Sequence, residues 1–316
     1  MPGIVTASQY SSAMVVVESE LPVDLTQTLR PLRHGGALDP CVRLGPDGVW
    51  RATRFGSGPA TMHLRSLSPT RVRVEAWGPG ADEALATAPD LLGAADSDGG
   101  LEACPHRSVR RMAKQLPGLR MSRSGNPFEA IVPVILAQKV QGQMASRSFC
   151  AVVRAAATPA PAGGPGAPRL LLPPTATWLA DQPSWAWHRW GVERKRAATI
   201  RCVATYADHI RRTDALPASE AAARLQLLPG VGPWTAAEVG MIAFGDADAV
   251  SVGDFWLKHW VCHNLAGEVR GTDERMLELL EAWPGQRGRV CRVINARGSR
   301  PPRFGPRLPF QDIGRL

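Results

Sequence analysis

Leu227-Leu228-Pro229-Gly230-Val231-Gly232-Pro233-Trp234-Thr235-Ala236-Ala237-Glu238-Val239 is the most informative segment of the chain. It predicts an amphipathic helix ending at Pro229, a Gly-Val-Gly turn, and a second helix opening at about Trp234. Gly230 and Gly232 permit the backbone angles and close approach that a tight turn against a ligand demands. The second helix turns its unpaired N–H groups and positive dipole end outward, which makes an anion site. A bare Gly-Val-Gly could equally be an ordinary link between two helices.

Two flanking stretches extend the pattern. Downstream, Asp248-Ala-Val-Ser-Val-Gly-Asp254-Phe-Trp-Leu-Lys places Asp254 just ahead of another helical run. Upstream, Phe128-Glu-Ala-Ile-Val-Pro-Val-Ile-Leu-Ala-Gln138 places Phe128, Ile131, Val132, Ile135 and Leu136 on one helix face, with Pro133 in the first turns. Further helices are predicted near 143–157, 193–211, 219–228, 255–266 and 273–282, and a short one near 82–92. The first hundred residues read as β-rich, with short alternating runs such as Arg71-Val-Arg-Val-Glu75. Thr158 to Pro168 is a Pro/Gly/Ala loop, too poor in side chains to pack.

The bulk properties narrow the function classes. The chain has 316 residues and a net charge of +9, from 37 Lys+Arg against 28 Asp+Glu. That excess suits a polyanionic partner, whose condensed counterions are released when phosphates are neutralised. The six cysteines stand singly with no CxxC, which argues against a zinc or iron–sulfur site and for reduced thiols. His259 and His263 have helical i, i+4 spacing but no third ligand, and read as packing or surface histidines. No run approaches the roughly 20 apolar residues that span a bilayer, and the first residues lack a signal-peptide pattern. A soluble, cytoplasmic protein is expected.

Together the hairpin, Asp254 and the helix ending in Gln138 resemble the helix-hairpin-helix DNA glycosylases, and most closely the monofunctional 3-methyladenine DNA glycosylase II, or alkylbase, type. The resemblance spans roughly residues 21–298 and is strongest between the hairpin and Asp254. It implies a mainly α fold, with a small α+β N-terminal domain over 21–100 and a helical glycosylase domain over 101–298. The hairpin falls at about 219–244 within the latter. Residues 1–20 read as an extension and 299–316 as an Arg/Pro-rich tail. The implied activity is removal of a damaged base, an alkylated purine, from double-stranded DNA in base excision repair. A monomer is expected to do this, nucleoid-associated when bound, without membrane or organic cofactor. The resemblance also allows a Na+ or K+ at the hairpin carbonyls.

On that resemblance each candidate residue acquires a role. Relatives that also cleave the backbone carry a lysine just after the turn, where this chain has Trp234, and an indole cannot form a Schiff base. Lyase activity is therefore not expected. Asp254 becomes the catalytic carboxylate, which stabilises oxocarbenium-like charge and orients water; without the family pattern it reads as a helix cap. Trp234, Glu238 and Trp256 are the base-pocket candidates, since a flipped base stacks among aromatic side chains. Glu238 stands where alkylbase relatives have an aromatic residue, and either faces the pocket, favouring a cationic base, or faces solvent. Gln138, Lys139, Gly230, Val231, Gly232 and Thr235 are the DNA-contact candidates. Lys139 replaces an apolar wedge and either enters the stack or grips phosphate. Lys258 and Arg270 read as phosphate contacts or solvated charges, and Trp185, Trp187 and Trp190 as helix packing. A helix-hairpin-helix protein that only holds DNA is the alternative; it would not need Asp254.

Overall fold

A computed structural model describes residues 13–302. The N-terminal part is a five-stranded, wholly antiparallel sheet of β1 (Ala13–Glu18), β2 (Val42–Gly45), β3 (Gly48–Phe55), β4 (Gly58–Ser68) and β5 (Arg71–Trp77), in the order β1-β5-β4-β3-β2. Period-two burial along β5 puts Val72, Val74 and Ala76 inward. Ala13–Glu18, inside the stretch expected to be an extension, is an edge strand paired with β5. Residues 1–12 of that extension, and 303–316 of the tail, lie outside the described residues.

Fifteen α-helices are found among the described residues. Those beside the sheet are α1 (Leu25–Leu29), α2 (Ala81–Ala86) and α3 (Ala88–Leu92). Then come α4 (Arg107–Ala113), α5 (Pro127–Ala137), α6 (Gly142–Ala156), α7 (Ala176–Asp181), α8 (Ser184–Arg189), α9 (Arg194–Thr205), α10 (Ala207–Arg212), α11 (Ala218–Leu225) and α12 (Pro233–Val239). The last are α13 (Leu257–Ala266), α14 (Asp273–Leu280) and α15 (Arg287–Arg297). α5 starts where the sequence dictates: Asn126 accepts the Glu129 N–H and Pro127 opens the first turn. Pro133 is its seventh residue rather than part of the first turns.

The expectation of a mainly α class is corrected here: the chain is α+β. Helices take up less than half of the described residues, and the sheet shares its core with them. Met62, Leu64 and Val74 from the strands join Ile131, Ile135 and Leu136 of α5 in one buried cluster that continues to α12. Each such side chain contributes about 1.5–3 kcal/mol by leaving water. A polar link crosses the same boundary, because Glu129 of α5 pairs with buried Arg51 (3.0 Å) and accepts from Thr53 (2.6 Å) on β3. A separate core joins residues 101–119 to α13, α14 and α15, through Val109, Met112, Val261, Met276, Leu280, Val290 and Ile294.

The outer face of the sheet holds a second departure. Trp50 stacks on His63 (3.8 Å) and on Trp77 (5.7 Å), and both indoles are buried. What buries them is the Pro/Gly/Ala segment that was expected not to pack. Pro161 accepts from Thr61 (2.7 Å), Thr158 accepts from Leu172 N–H (2.9 Å), and a Cβ on Gly163 would stand 2.9 Å from the Trp50 ring. Small residues pack by letting the backbone itself approach the indole faces.

Candidate active site at the hairpin

The chain passes from the first core to the second between α12 and α13, and the candidate site is built on that crossing. In the hairpin the two glycines do different work. Gly230 has φ +85°, and a Cβ there would lie 2.2 Å from Thr199 Oγ1 of α9, so this glycine seats the turn on the protein. Gly232, at the start of α12, is extended, and a Cβ there would meet nothing within 4 Å. It is the glycine that opens outward. No side chain caps α12 and Pro233 has no N–H, so the Trp234 and Thr235 N–H groups are left without a capping acceptor.

The other DNA-contact candidates divide in the same way. Gln138, which ends α5, donates its amide to Gly230 O (2.9 Å) and Thr235 Oγ1 (2.9 Å), clasping the hairpin to α5. Thr235 and Val231 are both buried. Lys139 is exposed and left-handed (φ +54°), an uncommon conformation for a non-glycine residue, and it projects beyond the clasp.

Asp254 sits three residues ahead of α13. Its Oδ1 accepts the N–H groups of Trp256 and Leu257 (both 2.8 Å), and its Oδ2 accepts the Trp234 indole N–H (3.3 Å). The structure thus brings Asp254 and Trp234 together and makes Asp254 a helix-capping carboxylate as well. Glu238, one turn beyond Trp234, accepts a short hydrogen bond from the Ser251 hydroxyl. The Ser251 carbonyl in turn accepts the Asp254 N–H (3.1 Å). Glu238 is half-buried overall, but its carboxyl end is the enclosed part. That burial pushes the Glu238 carboxyl above the usual carboxylate range against the Ser251 bond, and the Asp254 charge adds to the rise. Trp256 is half-exposed and meets Phe255 edge-on (4.9 Å); both rings lie open beside the carboxylate rather than enclosed.

Residues missed in the sequence hold the loop carrying Asp254. Asp248 clasps Arg287 at the start of α15, accepting its Nε (2.8 Å), its N–H (3.1 Å) and a short bond from its Nη2. Asp273 accepts Gly253 N–H (3.1 Å) and pairs with Lys258 (3.0 Å). Gly288 presses on the loop backbone, where a Cβ would lie 2.3 Å from Ala249 O. No local pattern foretells contacts between residues so far apart in the chain. Trp187 is fully buried and Trp190 packs against it, but Trp185 is exposed. His259 accepts Gly271 N–H (3.1 Å), and among the described residues no group of three His, Cys, Asp or Glu could hold a metal. None of the described helices is long and apolar enough to cross a membrane.

No family model matches the chain. Over 152 residues, 48% of the chain, it is 32% identical to a probable bifunctional transcriptional activator/DNA repair enzyme AlkA of Mycobacterium tuberculosis. The match spans 30% of that relative's length. Among solved structures it resembles a 3-methyladenine DNA-glycosylase from Archaeoglobus fulgidus, with TM-score 0.75 and 15% identity over 89% of this chain and 97% of the other. It also resembles a Clostridium acetobutylicum 8-oxoguanine glycosylase/lyase solved with double-stranded DNA, with TM-score 0.65 and 14% identity over 89% and 96%. The chain has the fold of the helix-hairpin-helix DNA glycosylases.

Proposed function

We propose that this chain is a monofunctional DNA glycosylase of base excision repair that removes an alkylated purine, of the 3-methyladenine kind, from duplex DNA. The observation that carries the reading is the Asp254 carboxylate, fixed by two backbone N–H groups and the Trp234 indole beside an outward-facing hairpin. A purely DNA-holding hairpin explains Gly232 and leaves Asp254 only its capping role at the start of α13.

In the proposed reaction the duplex docks on the hairpin and the damaged nucleotide leaves the stack. As the N-glycosidic bond breaks, its electron pair departs with the base, and positive charge grows on the sugar. Asp254 stabilises that charge. Water then adds to the sugar carbon and its proton passes through Asp254 to solvent, leaving free base and an abasic site. Trp234 offers no amine and Lys258 is held by Asp273, so no backbone cleavage accompanies the step. A cationic base suits a pocket lined by Asp254 and Glu238. A cation beside the enclosed Glu238 carboxyl opposes the upward push that burial gives it. A monovalent cation at the hairpin would rest on backbone carbonyls. Those of Leu228 and Gly230 already accept Val231 N–H and the Gln138 amide, and no step runs through such an ion.

The test is release of free base from methylated duplex DNA by the wild type and Asp254→Asn, with nicking scored before and after alkali. Methylpurine release with alkali-dependent nicks, lost in the variant, is the expected result. Nicking without alkali would refute monofunctionality. Tight duplex binding without release across a lesion panel would leave a DNA-holding protein instead.

A further inference from the structure

The first turn of α9 breaks a local rule. Arg194, Lys195 and Arg196 occupy its first three positions, with no acidic residue among them, so three cations face the positive end of the helix dipole. One of them has an evident structural use. Arg196 is buried and donates to Leu136 O (2.7 Å) near the end of α5, with Glu193 3.6 Å away as its counter-charge. Arg194 and Lys195 are exposed, and their side chains have no hydrogen-bonding or ionic partner among the described residues. A sequence that places unpaired charge against a helix dipole is destabilised locally, and such breaches concentrate where function needs them.

Their position is set by what surrounds them. Lys195 lies one helical turn before Thr199, and its carbonyl accepts the Thr199 hydroxyl (3.1 Å). Thr199 is the residue on which Gly230 seats the hairpin. Residues four apart share a helix face, so Lys195 flanks the hairpin turn. The Arg196 bond brings the same helix start to the end of α5, from which Lys139 projects.

We infer that Arg194 and Lys195 form a cationic ledge beside the hairpin that grips backbone phosphates of the duplex, extending the footprint beyond the Gly232 turn. This rests on the DNA reading above. It does not require that a base be cut, because phosphate contacts position the protein and carry no lesion information.

The experiment is fluorescence anisotropy of the full chain on an undamaged labelled duplex over a KCl series, for the wild type, Arg194→Ala/Lys195→Ala and Arg194→Lys/Lys195→Arg. Each lost phosphate contact removes about 0.9 from the slope of log K against log[salt]. The double alanine variant is expected to lose about 1.8, so its affinity falls roughly twelvefold less than wild type between 50 and 200 mM salt. The charge-keeping variant retains the wild-type slope. A steep wild-type slope unchanged in the alanine variant overturns the ledge while leaving the glycosylase reading intact. Conversely, a flattened slope in a protein that releases no base from any lesion supports the ledge and sinks the glycosylase reading.

Discussion

Replacing Asp254 by Asn separates the two jobs this carboxylate holds, and the structure gives a magnitude for each. Electrostatically the variant removes the anion that faces the developing sugar cation; loss of one such preorganised group costs about 3–4 kcal/mol, or 10²–10³ in rate. Structurally the amide cannot serve all three donors that the carboxylate serves. If its oxygen stays on the Trp256 and Leu257 amides, its NH₂ opposes the Trp234 indole N–H. If it flips, those two amides lose their acceptor. Either way a donor is left unmatched, at about 1–3 kcal/mol. Asp254 is only half-buried, so water relieves part of this and the lower end of the range applies. Trp234→Phe removes the opposing donor. A double-mutant cycle on unfolding free energy should therefore show Asp254→Asn costing about 1 kcal/mol less when combined with Trp234→Phe than when made alone. Single-turnover excision should stay 10²–10³-fold down in both Asn variants, with undamaged-duplex affinity unchanged. Zero coupling would mean that the indole–carboxylate bond is not formed in solution. Full excision by Asp254→Asn would end the catalytic assignment.

The two hairpin glycines should respond differently. Gly230→Ala forces a left-handed residue into Thr199 and should cost at least about 1–2 kcal/mol of stability in chemical denaturation. Gly232→Ala meets only open space and should melt like wild type while binding every duplex more weakly; a lesion-selective loss would contradict a phosphate role. Glu238 has a raised folded pKa, so the folded state binds more protons than the unfolded one above about pH 4.5, and stability falls as pH rises through the folded value. Glu238→Gln lacks this loss, and its stability relative to wild type should improve across that window; parallel pH curves would place the carboxyl in water. The same variant should slow excision of cationic bases more than of neutral ones such as hypoxanthine, and equal effects would put Glu238 outside the pocket. Gly288→Ala pushes on Ala249 O and should lower single-turnover excision with duplex affinity retained; a loss of binding alone would detach α15 from the chemistry.

Features written in neighbouring residues were legible in the sequence. The hairpin, the apolar face of α5, the alternation of β5 and the place of Asp254 before α13 all depend on spacing that acts within a turn or two. What the sequence hid was long-range. The Pro/Gly/Ala segment has no periodicity, yet its smallness is what lets it cover Trp50 and Trp77. The mainly α reading failed because the sheet and α5 share one core, a fact set by Arg51, Thr53 and Glu129 meeting across more than seventy residues. Gln138, read as a DNA contact, turns its amide inward onto Gly230 and Thr235, and no one-dimensional pattern fixes which way a glutamine turns.

The same distinction explains why so many residues outside the motif serve one carboxylate. A group that works by stabilising charge is effective only if it need not reorganise when the charge appears. Asp254 lies on a loop, the least rigid kind of element, so its position has to be imposed from elsewhere. Asp248 fastens the loop's beginning to α15, Glu238 and Ser251 fasten its middle to the hairpin helix, and Asp273 fastens Gly253 at its end. These anchors come from both cores, so the carboxylate is fixed relative to the hairpin only while the two cores stay in register. A change confined to the second core, such as Asp273→Asn, should therefore lower excision without touching the DNA-docking surface, because it loosens Gly253 and frees Lys258 beside the anion. Equal losses of binding and excision in that variant would show that the two cores are held together by something other than this loop.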